Sequence, residues 1–197
     1  MYGFFKLATH FGDSTFLLPL AIGLVSALMW QSRSLAFRFG LVVAADLILT
    51  LSSKLWFYAS GGNTYLNILS PSGHASLSVT VYGCLAVALA SKRPQAEQAF
   101  ILGTAAVVAL TIIVSRIALY AHTPEEVVFG SLIGGICVAA FSASNTSVQM
   151  LQLRLPAWFL ATLLVGTMSV WMLGREVKTE PIVKHWGNRI GSTWESL

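Results

Sequence analysis

The chain has 197 residues, 55% of them hydrophobic and 10% charged, with a mean hydropathy of +0.72. Soluble domains carry about 25% charged residues, so a water-soluble fold of this size lacks the polar side chains to cover its surface. The sequence describes an integral membrane protein. The formal charge of +4 does not signal nucleic acid, because the basic residues are scattered in ones and twos between apolar segments and form no stripe.

The opening stretch, MYGFFKLATHFGDS, has neither a basic leader region nor a cleavage site of small residues. The first apolar run is therefore expected to stay in the protein as a membrane helix. Six apolar segments follow one another at 16–30, 36–53, 75–90, 99–119, 126–142 and 157–173, before a tail at 174–197. Strand-like alternation, internal repeats and linkers are all missing. The expected architecture is all-α: a polytopic membrane protein forming one domain over residues 1–197, a bundle of six transmembrane helices.

Several segments fall short of the ~20 residues that cross a bilayer unaided. Short helices are tolerable when they pack closely and carry functional groups at their ends. In the fifth segment Gly130, Ser131, Gly134 and Gly135 would allow that close approach. Cys84 and Cys137 lie within apolar runs and read as buried thiols without metal-ligand spacing. Trp30, Trp56, Trp158 and Trp171 fall near segment ends, as an aromatic belt does. Asp46, eight residues before Lys54, is either a functional carboxylate or, more simply, a buried polar partner for a neighbouring helix. His10, Asp13 and His185 are assigned no chemistry.

Orientation follows from the short loops. Arg33 and Arg38, then Lys92 and Arg93, then Arg154 occupy the first, third and fifth connections, and an excess of Lys and Arg marks the cytoplasmic side. The second and fourth connections then face outward, and both hold unusual residues.

SPSGHASLS (70–78) places Ser72, Gly73 and His74 where an outer loop enters the third segment. Ser72 can cap that helix, and Gly73 lets a ligand approach the backbone. A helix N-terminus offers unsatisfied N–H groups and a positive dipole end, which suits an anion. Taken alone, the stretch is better explained by an ordinary cap followed by an interfacial histidine.

VSRIALYAHTPEEVV (114–128) brings Ser115, Arg116, His122 and Glu126 to the same side. Thr123, Pro124 and Glu126 have the spacing of a capping box. The same glutamate, four residues after His122, can instead accept its ring N–H and leave the other nitrogen free to attack. Arg116 suits forked contacts with phosphate oxygens, and Lys54 ends the second segment on this side, where a lysine can also snorkel to head groups.

PSGH (71–74) and SRIALYAHTPEE (115–126) resemble two signatures of the type 2 phosphatidic acid phosphatase superfamily, P-S-G-H and S-R-x5-H-x3-D. The likeness extends from about residue 10 to 173. There are two departures. Lys54 can stand for the lysine of the first signature, K-x6-R-P, but Gly61 and Gly62 hold the Arg-Pro positions, and Glu126 replaces the aspartate.

The resemblance implies a two-step phosphoryl transfer. His122 would form a phosphohistidine with Glu126 holding its ring, and His74 would serve as acid and then base. Lys54, Arg116, Ser72 and the Gly73 N–H would hold the phosphate oxygens, with fixed cations in place of a metal and no cofactor. The implied substrate is a lipid phosphate such as undecaprenyl pyrophosphate, phosphatidylglycerophosphate, phosphatidic acid or a lipid A phosphate. The implied place is a bacterial inner membrane, with the site facing the periplasm. A non-catalytic lipid-phosphate binding or transport protein, or a lipid phosphotransferase, would carry the same charges, and only the enzymes need His122 as a nucleophile.

Overall fold

The computed structural model describes residues 2–63, 65, 67–144 and 179–195. These form seven helices: α1 (Tyr2–His10), α2 (Ser14–Gln31), α3 (Arg33–Ala59), α4 (Gly73–Ala90), α5 (Gln95–Ala118), α6 (Pro124–Ser144) and α7 (Thr179–Glu195). Five stretches are long and apolar enough to cross a membrane: α3, α4, α5, α6, and α1 with α2 taken together. The fold is a polytopic helical bundle.

The sequence placed five of these helices correctly but drew them short. α3 runs on to Ala59, so Lys54 lies inside its last two turns, and α6 starts at Pro124. α1 and α7 were not expected as helices, one in the N-terminal stretch and one in the tail. The segment expected at 157–173 lies outside the described residues.

Local chemistry sets the boundaries. Asp13 caps α2 and Ser32 caps α3, each accepting from a backbone N–H of the first turn. Such capping satisfies donors that a helix start leaves without partners. Ser72 caps α4 through Ala75 N. Beyond Ala59 the chain turns at Gly61 and Gly62, with φ of 76° and 83°, a region that favours glycine.

α4 is the most buried of the spanning helices and packs chiefly on α6 and α5. Its closeness to α6 depends on two glycines. A Cβ on Gly130 would fall 2.3 Å from the Ser72 carbonyl oxygen, and one on Gly134 2.5 Å from that of Ser76. Gly135 faces open space, so only part of the expected small-residue stripe serves the crossing. The apolar core includes Leu24 and Leu28 of α2, Phe39 of α3, Val81 of α4 and Phe141 of α6.

Between this core and the site lies a buried polar layer. Ser76 and Thr80 of α4 donate to Asp46 Oδ1, and Thr50 donates to Ser76. Asp46 thus joins α3 to α4, as interhelical hydrogen bonds do in membranes.

Gly130→Ala is expected to lower stability in detergent by about 1–3 kcal/mol, the usual cost of overpacking. The added methyl meets backbone and cannot be relieved by a rotamer change. Gly135→Ala should leave the thermal midpoint unchanged, and the two midpoints measured side by side check this.

Candidate active site

The chain between α3 and α4 and the chain between α5 and α6 meet at one end of the bundle, and Glu126 holds them together. Its carboxylate is buried, with 6% exposure. Oε1 accepts from the backbone N–H groups of Leu69 and Ser70, each at 2.9 Å. Oε2 lies 2.7 Å from His122 Nδ1 and accepts from Thr123 N at 3.2 Å. The Glu126 N–H in turn donates to Thr123 Oγ1 at 3.2 Å. The capping box and the histidine partner are therefore one side chain, and the two readings of the sequence are both met. Glu126 also accepts the Ser72 N–H at its backbone carbonyl, which ties the α4 cap to the α6 start.

His122 precedes α6, and its side chain is largely buried. Burial pushes its imidazole below the ordinary histidine value of 6.5; the Glu126 hydrogen bond opposes this, and Lys54 and Arg116 add to the lowering. The ring is thus held neutral at pH 7, the form in which a histidine nitrogen can attack. His74, on the first turn of α4, lies within electrostatic reach of the same two cations.

Ser72 is fully buried and its Oγ makes the cap contact. Gly73 sits against the Lys54 stem, since a Cβ there would lie 3.7 Å from Lys54 Cε. Arg116 closes α5 and donates through Nη1 to Thr9 Oγ1 at 2.8 Å. All seven residues named from the sequence thus gather at one end of the bundle.

Besides Thr9, three contacting groups were not foreseen. Asp13 lies 3.4 Å from His74 through Oδ2 and Nε2. Ser70 Oγ accepts from Lys54 Nζ at 2.9 Å. Glu180 of α7 takes the same ammonium at 2.6 Å, and Tyr58 and Ser70 donate to its other oxygen. Burial works to raise the Glu180 pKa, but the Lys54 ammonium and these hydrogen bonds hold it down at about 2. Nothing local signals Glu180, which lies 126 residues from Lys54.

An open cleft of about 670 Å³ lies beside His122 and Glu126, walled by Gly61, Gly62, Asn63 and Asn67. The two glycines occupy the positions where the resembling signature has Arg-Pro. Both have positive φ, while proline is fixed near −65°, so the backbone follows a different path here and the change is more than a loss of side chains. Among the described residues, no group of three or more His, Cys, Asp or Glu side chains is arranged to hold a metal ion.

A histidine–carboxylate pair and a second histidine thus lie within electrostatic reach of the same two cations at one end of a membrane bundle. The family model of the PAP2 superfamily matches residues 39–149, more than half of the chain. This protein belongs to that superfamily, whose members include lipid phosphatases. It is also 32% identical over 139 residues to an "Uncharacterized 22.5 kDa protein in cps region" from Klebsiella pneumoniae. That alignment covers 69% of this chain and 66%, just under two thirds, of the relative. No solved structure matches the chain.

Because both positions need positive φ, Gly61→Arg with Gly62→Pro is expected to destabilise the protein by about 1–3 kcal/mol. The double variant should melt earlier than wild type and gain no activity, which a thermal scan and a phosphate-release assay check together.

Proposed function

We propose that this protein is a membrane lipid phosphatase or pyrophosphatase working through a phosphohistidine on His122. The observation that carries the reading is the 2.7 Å contact between Glu126 and His122 Nδ1. It leaves Nε2 for a phosphorus atom. Nε2 attacks phosphorus and the bond to the leaving oxygen breaks, while His74 gives that oxygen a proton. His74 then takes a proton from water, the hydroxide attacks phosphorus, and the P–N bond breaks to release phosphate.

Lys54, Arg116 and the Gly73 N–H neutralise the phosphate oxygens, with Ser72 shaping the helix start beneath them. Positioning and charge neutralisation are most of what phosphoryl transfer asks of a protein. Glu126 stabilises the imidazolium as it forms. A site at the end of apolar helices suits an amphiphile, its chain among the helices and its phosphate among the charges. Undecaprenyl pyrophosphate, phosphatidylglycerophosphate, phosphatidic acid and lipid A phosphates are the candidates. The loop charges favour a site facing the periplasm of a bacterial inner membrane, and the similar protein in Klebsiella pneumoniae is bacterial.

A second reading, a protein that binds or transports a lipid phosphate without cleaving it, is favoured by one observation. Lys54 is already paired with Glu180, and in the enzyme the substrate must displace that carboxylate.

The deciding experiment is phosphate release by purified protein in EDTA from those four lipid classes, with His122→Ala beside wild type. Turnover by wild type, its loss in the variant, and a trapped acid-labile phosphate at His122 are expected. Lipid binding without turnover would favour the second reading.

The pH profile follows from His122. The neutral ring is the nucleophile, and its pKa is lowered from 6.5. Activity is therefore expected to persist below pH 6.5 and to fall only as the pH drops through the lowered value. For Glu180→Gln, which keeps the shape and removes the competing charge, KM should fall about two- to five-fold, the range of a partly exposed ion pair, with kcat little changed.

A further inference from the structure

The residues THFGD (9–13) join α1 to α2 and lie outside the segment matched by the family model. This corner is built into the bundle. Gly12 is wedged so tightly that a Cβ would fall 2.4 Å from Ile112 of α5 and 3.0 Å from Ser78 of α4. Tyr82 of α4 donates to the Phe11 carbonyl at 2.9 Å. From the fixed corner two side chains reach the site: Thr9 accepts from Arg116, and Asp13 faces His74.

The carboxylate of Asp13 divides its oxygens. Oδ1 caps α2, accepting from Thr15 N at 2.8 Å and Thr15 Oγ1 at 2.7 Å. Serine, threonine or asparagine would cap as well, so capping does not account for an acid. Oδ2 stands 3.4 Å from His74 Nε2. The other charged groups facing His74 are Arg116 of α5 and Lys54 of α3, both of which oppose a positive ring. Asp13 is the carboxylate that favours one.

We propose that Asp13 is a positioning residue for His74: it accepts the Nε2–H, fixes the tautomer that leaves Nδ1 for the substrate oxygen, and stabilises the imidazolium that donates a proton. The assignment rests on the phosphatase reading above, in which His74 moves protons. Each histidine of the site then has its own carboxylate, Glu126 from within the matched segment and Asp13 from the N-terminal corner.

The test compares wild type with Asp13→Asn, which keeps the cap and the side-chain volume while removing the charge. Two substrates are used: an alkyl lipid phosphate, whose leaving oxygen needs a proton, and an aryl phosphate such as p-nitrophenyl phosphate, whose leaving group does not. On the lipid phosphate, turnover by Asp13→Asn is expected to fall on the order of 10²-fold, within what general acid–base catalysis supplies. On the aryl phosphate the first step should survive, giving a burst of nitrophenol and a phosphohistidine at His122 that accumulates as water activation slows. Loss of the carboxylate removes the group that favours the protonated ring. The alkaline limb of kcat on lipid phosphate, where the donating form disappears, should therefore move to lower pH.

Equal activity of wild type and Asp13→Asn on both substrates, or an equal loss on both without a burst or a shifted limb, would overturn the assignment while leaving the phosphatase intact. No turnover by folded wild type on either substrate would overturn both readings. Should Asp13→Asn fail to fold, Asp13→Ser, which caps through its hydroxyl, gives the same comparison.

Discussion

A single buried carboxylate organises one end of this bundle. Glu126 binds two amides of the loop before α4, the N–H at the start of α6 and the ring of His122. A buried carboxylate is costly unless its oxygens are satisfied, and here four donors converge on two oxygens. The same requirement that keeps Glu126 in place therefore fixes the loop, the helix start and the histidine relative to one another. An aspartate, one methylene shorter, would have to draw the two loops closer to make the same set of contacts.

Charge balance shapes the rest of the site. Lys54 and Arg116 are held by groups from distant parts of the chain, Glu180 in α7 and Thr9 in the N-terminal corner. Neither cation is left to the membrane environment, where an unpaired charge is expensive. In the proposed reaction a substrate phosphate would compete with Glu180 for the ammonium.

Below the site, the membrane-spanning part is held by close backbone approach and shared polar groups. Gly130 and Gly134 bring α6 against the backbone of α4, and Asp46 links α3 to α4 through hydroxyls. Dispersion and hydrogen bonding, more than the hydrophobic effect, join helices in lipid. The stiffness they provide holds the first turn of α4, and with it Ser72, Gly73 and His74, at a fixed height.

Much of this was legible in the sequence because it is local or compositional. Apolar composition dictated a membrane bundle, and the run of hydrophobic segments located α2 to α6. The four-residue spacing in HTPEE was readable as a histidine–carboxylate pair, and the capping box at the start of α6 folds Glu126 back onto His122. Asp46 was readable as a buried partner for the same reason that intramembrane carboxylates are rare. The tertiary structure alone decided that the capping and histidine-holding roles of Glu126 coincide, because that depends on the loop amides of Leu69 and Ser70, 57 and 56 residues away. It also brought Asp13 to His74 and Glu180 to Lys54. Contacts between residues far apart in the chain follow from how helices cross, and helix crossing leaves no periodicity in sequence from which a partner can be read.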